Sequence, residues 1–194
     1  MALDNVILGP PGAGKGTQAK RISTEAGIPH IATGDMLREA MERETEMGVR
    51  IKPTYDAGDL VPDDLMIELI RERLSVPDTS DGFILDGFPR TVAQAEALDR
   101  MLEEIDRELL AVLYFQVPDE LAVERLHVRS LQEGRTDDTP EIIRHRLEVF
   151  HKRTEPVVEY YRSKGILVGI HAERPIDAVF AEVQEVLETA STRR

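Results

Sequence analysis

The chain contains no cysteine. That excludes disulfides and any thiolate-held metal, and it agrees with life in the cytoplasm. No apolar run approaches membrane-spanning length, and there is no internal repeat or low-complexity tract. Basic charge is short as well: 37 acidic residues against 24 basic ones leave a net charge of −13, which argues against a nucleic-acid-binding surface. Among the basic residues lysine is scarce, five against nineteen Arg. Arg suits two-pronged recognition of phosphate, although compositional bias accounts for most of the nineteen. Candidate general bases are few, since His30, His127, His145, His151 and His171 share no recurring spacing with a nucleophile. What remains is a chain of 194 residues, 41% hydrophobic, which suffices for one core and falls short of two ordinary domains. Its glycine-rich motif begins at residue 9, leaving no room for a leader peptide ahead of it.

That motif, Gly9-Pro10-Pro11-Gly12-Ala13-Gly14-Lys15-Gly16-Thr17, follows the apolar run Val6-Ile7-Leu8 and opens onto the helical pattern Gln18-Ala19-Lys20-Arg21-Ile22. Strand, glycine-rich turn and helix N-terminus together make an anion cradle. The glycines let backbone N–H groups converge, the helix dipole adds positive potential, and Lys15 adds a mobile full charge. The hydroxyl that usually follows the lysine directly comes one residue late, at Thr17. The chemistry is therefore that of nucleotide phosphates.

Apolar runs at Asn5–Leu8, Ile28–Ile31, Phe83–Asp86, Ala111–Val117 and Ile166–Ile170 read as strands. Helical patterns lie near 14–26, 35–47, 63–75, 91–105, 119–130, 140–163 and 176–190. This alternation predicts an α/β fold: a parallel sheet with helices on both faces and ligands outside the carboxyl ends of the strands. Two polar stretches, 32–61 and 128–138, read as inserts able to cover a phosphate site. Asp86 ends an apolar strand, where a carboxylate can hold the hydration shell of Mg2+ beside the phosphates. Arg125 and Arg129 fall within the apolar stripe of Leu121, Ala122 and Val128. Arg146 lies in that of Ile142, Ile143, Val149 and Phe150, while Arg144 points away. Inward guanidiniums need anionic partners, which either protein carboxylates or a bound polyphosphate can provide. The missing base fits an acceptor that is itself a phosphate, because its oxygen is already ionised.

At this point the residues resemble the adenylate kinase family closely over nearly the whole chain. The likeness rests on the glycine-rich motif, Thr33-Gly34-Asp35-Met36-Leu37-Arg38, Gly58-Asp59-Leu60-Val61-Pro62-Asp63, Asp86-Gly87-Phe88-Pro89-Arg90-Thr91 and Arg135-Thr136-Asp137-Asp138. The resemblance implies reversible phosphoryl transfer from MgATP to AMP giving two ADP, on a P-loop nucleoside-monophosphate kinase fold with a five-stranded parallel sheet. The core would comprise 1–31, 62–127 and 139–194. The AMP-binding insert would be 32–61 and a short lid 128–138.

By motif match, Gly12, Ala13, Gly14, Lys15, Gly16 and Thr17 would cradle the ATP phosphates. Arg125 and Arg129 would meet ATP, Arg129 stacking on adenine, and the carbonyl of Arg174 would touch the same base. Arg38, Arg90, Arg135 and Arg146 would clamp AMP and the phosphoryl group in flight. The catalytic set would thus be Lys15, Arg90, Arg125, Arg135 and Arg146. Thr33 and Gln94 would read the acceptor adenine, with backbone from Asp59, Leu60 and Val61 and from Gly87, Phe88, Pro89 and Arg90 nearby. Asp86, through water, with Thr17 and Asp35, would support Mg2+. Periodicity gives no reason to prefer Arg38 to Arg43; only the likeness does.

Two departures from the family stand out. Only 130–134 separate Arg129 from Arg135, and the four lid cysteines of zinc-binding members are absent, so the likeness is to a short-lid form without zinc. The expected partners are ATP, AMP and ADP, with neither nucleic acid nor membrane, for a cytoplasmic monomer. Transfer to UMP or CMP stays open as an alternative, although Thr33 stands where pyrimidine kinases have a small apolar residue. So does a nucleotide-gated switch, although a switch has no use for a second nucleotide pocket.

Overall fold

The computed structural model describes residues 2–133 and 139–192. Five strands, β1 (Leu3–Leu8), β2 (His30–Ala32), β3 (Gly82–Asp86), β4 (Ala111–Gln116) and β5 (Leu167–His171), form one sheet in the order β2-β3-β1-β4-β5. Every neighbouring pair is parallel. The helices among the described residues are α1 (Lys15–Ala26), α2 (Thr33–Glu42), α3 (Glu46–Asp56), α4 (Asp63–Leu74), α5 (Val92–Glu103), α6 (Asp119–Glu133), α7 (Pro140–Val149), α8 (Glu155–Ser163) and α9 (Ile176–Thr192).

The two-residue period of the strands divides the core between the two sheet faces. Val6, Leu8, Phe83, Leu85 and Val112 pack with residues of α2 to α5 and α8. Ile7, Ile84, Leu113 and Phe115 face the other way, onto α1 and α9 through Ile22, Val179, Phe180 and Val183. A small third cluster, Ala122, Leu126, Ile143 and Leu147, joins α6 to α7. The chain passes from β1 to the β3 side of the sheet before returning to β4. The switch point, and with it the crevice, therefore lies at the carboxyl end of β1.

Four local expectations are corrected. β2 starts two residues later than its apolar run, because Ile28 closes the turn after α1, its N–H donating to the Ser23 carbonyl at 3.3 Å and its own carbonyl accepting from Ser23 Oγ at 2.6 Å. The helix read over 35–47 stops at Glu42, and a second one that the sequence reading missed, α3, follows from Glu46. Thr45 caps the second, its hydroxyl accepting from the Gly48 N–H at 3.0 Å, and Gly48 and the interior Pro53 disguise α3 in the sequence. The long helix read over 140–163 is interrupted by a π turn at Phe150–Thr154. Pro156, in the first turn of α8, cannot donate to the Lys152 carbonyl. Finally, Val128 is 44% exposed, and the inward stripe of α6 is Ala122 and Leu126.

Candidate active site

The glycine-rich turn leaves β1 and enters α1 through Gly14, which holds φ 81° and carries no side chain to cap the helix. The N–H groups of the first turn are thus offered to whatever occupies the turn. Close packing fixes the turn from behind: a Cβ on Gly12, at φ +83°, would lie 2.4 Å from the Ala122 carbonyl oxygen of α6. Only glycine lets the loop sit so close to that helix. Lys15 folds back over the turn, its Nζ donating to the Gly9 and Pro10 carbonyls at 2.8 Å each. Loss of water lowers its pKa to about 8; the Asp86 carboxylate opposes this drop, while Arg90 and Arg129 add to it.

Asp86 ends β3 beside Gly16, whose Cβ, if it had one, would lie 3.4 Å from Asp86 Oδ2. Burial raises the pKa of this carboxyl, but the contact with His30 Nε2 at 3.4 Å, with Lys15 and Arg90 nearby, outweighs burial and holds the group below the usual carboxylate range. Asp86 therefore stands ionised at the floor of a cleft of about 950 Å3.

Lys15, Lys20, Arg38, Arg90, Arg125, Arg129, Arg146 and Arg174 all line that cleft. Arg125 Nη1 and Nη2 donate to the Ala172 and Glu173 carbonyls at 2.9 and 3.4 Å, tying α6 to the loop after β5. Arg174 turns its side chain away, to the His171 carbonyl at 3.3 Å and to Glu182, so its backbone is the part available to the cleft. Arg38 Nη1 donates to the Tyr55 hydroxyl at 2.7 Å and the group also pairs with Asp35. The Arg146 guanidinium lies 5.8 Å from the centre of the same Tyr55 ring. Arg90 opens onto the cleft with Nε donating to the Gly87 carbonyl at 2.8 Å. Loss of water lowers its pKa, Asp86 opposes that and Arg146 adds to it.

At the end of the cleft away from the glycine-rich turn, Thr33 is 1% and Gln94 is 2% exposed. Thr33 Oγ1 donates to the Asp86 carbonyl at 3.2 Å. Gln94 Oε1 accepts from the Arg90 N–H at 2.7 Å, and Gln94 Nε2 donates to Asp63 Oδ1 at 2.7 Å. Gly87, at φ +87°, admits this arrangement, since a Cβ there would stand 2.5 Å from Thr33 Oγ1.

The cleft wall thus gathers Gly12, Ala13, Gly14, Lys15, Gly16, Thr17, Thr33, Asp35, Arg38, Asp59, Leu60, Val61, Asp86, Gly87, Pro89, Arg90, Gln94, Arg125, Arg129, Arg146 and Arg174. Phe88 is the exception: its side chain is fully buried in the core, which leaves only its backbone near the site. Arg135 lies outside the described residues. Sequence reasoning passed over His30, Tyr55 and Asp63, which meet their partners across 56, 17 and 31 residues respectively. No local spacing signals such contacts. Among the described residues no group of three or more His, Asp or Glu is arranged to hold a metal, and no helix is long and apolar enough to cross a membrane.

Residues 7–166 match the family described as adenylate kinase. The chain is 48% identical to an adenylate kinase of Thermus thermophilus over 182 residues, covering 94% of this chain and 95% of that one. It is 48% identical to one of Kocuria rhizophila over 183 residues, covering 94% and 97%. It is 44% identical to one of Archaeoglobus fulgidus over 210 residues, covering 94% and 97%. The last alignment is longer for the same coverage of this chain, so the Archaeoglobus protein carries inserted residues that this chain lacks.

Proposed function

The chain belongs to the adenylate kinase family, and from that premise we infer how its cleft performs the family's reaction. The protein is a phosphotransferase that moves a phosphoryl group from ATP to AMP, giving two ADP. The observation that carries the assignment of roles is the gathering of cationic residues along one cleft, between an uncapped helix N-terminus at one end and the Thr33–Gln94 pocket at the other.

In this reading the backbone from Gly12 to Thr17 cradles the ATP phosphates, and Lys15 leaves its carbonyl partners to span the group in transfer. Arg125 and Arg129 face ATP, with Arg129 against the donor base and the Arg174 carbonyl beside it. Arg38, Arg90, Arg146 and Arg135 clamp the AMP phosphate and the moving phosphoryl. Thr33 and Gln94 read the acceptor base between the backbone of 59–61 and that of 87–90. The attacking atom is a phosphate oxygen that is already ionised, so no side chain need remove a proton. The protein's contribution is alignment and charge stabilisation.

The family uses Mg2+ with ATP, and the ion supplies charge neutralisation on the phosphate oxygens. One ionised carboxylate, Asp86, beside the phosphate turn suits an ion that keeps most of its waters. Asp86 would hold it through water, with the Thr17 hydroxyl on the same wall. In this reading residues 32–61 form the acceptor-side insert and 128–138, of which 134–138 lie outside the described residues, a short lid that excludes water from the transferring group. Within this reading the protein is a cytoplasmic monomer, and its lack of cysteine leaves no thiolates to hold a structural zinc.

The deciding experiment offers MgATP with AMP, UMP, CMP, GMP or water alone and resolves the products by ion exchange. Two ADP per AMP, with the other acceptors idle, is the expected result. Transfer to a pyrimidine monophosphate would overturn the role of Thr33, and hydrolysis without an acceptor would overturn the lid.

A further inference from the structure

The Gln94 side chain is enclosed at the acceptor end of the cleft, and its partners dictate which way its amide faces. Its oxygen accepts from a backbone N–H, that of Arg90, at 2.7 Å, and its nitrogen donates to the Asp63 carboxylate at 2.7 Å. A backbone N–H can only donate and a carboxylate only accepts, so the orientation follows from chemistry. Asp63 is itself held: its second oxygen accepts from Thr91 Oγ1 at 3.0 Å, and Thr91 Oγ1 accepts from the Gln94 N–H at 3.2 Å. Asp63, Thr91 and Gln94 thus close a ring of hydrogen bonds between the start of α4 and the start of α5.

Each end of the amide has spent half of its capacity. One N–H and one oxygen lone pair remain, side by side. That pair complements a base edge presenting an amino group next to a ring nitrogen acceptor, as a 6-aminopurine does. A 6-oxopurine presents the reverse, a carbonyl next to a ring N–H. Thr33 adds to the bias. Its hydroxyl hydrogen is committed to the Asp86 carbonyl at 3.2 Å, which leaves only lone pairs for a base amino group.

We propose that Asp63 is a specificity-determining positioning residue, whose carboxylate locks the Gln94 amide in the orientation that accepts a 6-aminopurine monophosphate and rejects a 6-oxopurine monophosphate. The proposal rests on the acceptor-side assignment of the preceding subsection. To accommodate a 6-oxopurine the amide must turn over. Turning brings its oxygen against the Asp63 carboxylate and its NH2 against the Arg90 N–H, so two hydrogen bonds are lost and like groups are opposed. Replacing the carboxylate by a carboxamide removes the charged half of that penalty, because an amide can donate as well as accept.

The test compares AMP and inosine monophosphate as acceptors for the wild type, Asp63→Asn, Gln94→Leu and the double variant. Charge-assisted and neutral hydrogen bonds differ by ~1 kcal/mol, so Asp63→Asn is expected to lower the AMP-to-IMP ratio of kcat/KM about fivefold or more. The change should come mainly through a lower KM for IMP, with kcat for AMP moving less. In the Gln94→Leu background the same substitution should leave the ratio unaltered, because there is no amide to orient. If Asp63→Asn does not fold, Asp63→Ser removes the same carboxylate and carries the same comparison. An unchanged ratio in the presence of Gln94, or an equal change in its absence, overturns the proposal and leaves Asp63 a structural tie. A wild-type protein that phosphorylated neither purine would overturn the acceptor assignment instead, with a result distinct from both.

Discussion

Lys15 is charged at neutral pH against the preference of its surroundings, and that conflict can be measured. Its pKa falls from 10.5 in the unfolded chain to about 8 in the fold, chiefly through burial. At ~1.4 kcal/mol per unit, a shift of this size corresponds to about 3 kcal/mol. The sign follows from proton counting. Between pH 8 and 10.5 the unfolded chain holds the Lys15 proton and the folded chain does not, so stability rises with pH across that window. Below pH 8 both states hold the proton and the full cost is present; above 10.5 neither does and the cost is gone. The expected observable is the unfolding free energy of the wild type minus that of Lys15→Met, from urea titrations without nucleotide. Subtracting the variant cancels the titration of every other group. The difference should climb by up to about 3 kcal/mol from pH 7.5 to 10.5. That value is a ceiling, because the bonds from Lys15 Nζ to the Gly9 and Pro10 carbonyls favour the ammonium. Nucleotide reverses the balance: phosphate binds the ammonium, so ATP binding at pH 9 should take up close to one proton, read by calorimetry in two buffers of different ionisation enthalpy. A flat or falling stability difference, together with no proton uptake, would refute the claim that the turn disfavours its own lysine.

Arg90→Ala should lower kcat more than tenfold, at least ~1.4 kcal/mol of transition-state stabilisation, and Arg90→Lys should not restore it because the planar fork is lost; near-normal turnover in either would remove Arg90 from the clamp. Gly12→Ala should destabilise the fold by at least about 1–2 kcal/mol from its positive φ alone, before any displacement of α6, and an unchanged denaturation midpoint would show that the 2.4 Å approach to the Ala122 carbonyl is relieved cheaply. Asp4, its side chain 1% exposed at the base of β1, forms a two-pronged pair with Arg107. Asp4→Asn should cost about 3 kcal/mol by leaving that guanidinium uncompensated, and a loss under 1 kcal/mol in urea denaturation would show that solvent reaches Arg107 easily.

The sheet and the phosphate turn were legible because both are local patterns. An apolar run of four or five residues and three closely spaced glycines need no knowledge of the rest of the chain. What escaped was whatever depends on a partner far away in sequence. Arg38 and Arg43 look equivalent on α2, yet Arg43 is 72% exposed and pairs with Glu39, while Arg38 is drawn to the Tyr55 hydroxyl on α3. That contact was invisible so long as α3 itself went unseen, behind a glycine and an interior proline that α3 tolerates because Ile51 is buried in the core. His30 read as an ordinary histidine until β2 was paired with β3, which sets it beside Asp86. The π turn at Phe150–Thr154 has a similar origin. Thr154 Oγ1 donates to the Arg90 carbonyl at 3.0 Å, a link across 64 residues that no helical period encodes.

The charges of the cleft run against those of the whole chain, and the contrast bears on how the site works. A protein of net charge −13 lines the cleft around Asp86 with Lys15 and a set of arginines. Those cations disfavour one another: Arg90 and Arg129 lower the affinity of Lys15 for its proton, and Arg146 does the same to Arg90. Asp86 is shared among His30, Lys15 and Arg90. A polyphosphate relieves every one of these repulsions together, and it does so most fully when negative charge is spread between donor and acceptor, midway along the cleft. Groups already fixed by carbonyls, by Tyr55 and by the loop after β5 need little rearrangement at that moment. Electrostatic catalysis of this kind requires such fixation, and it explains why a site without a proton-abstracting residue suffices for transfer between two phosphates.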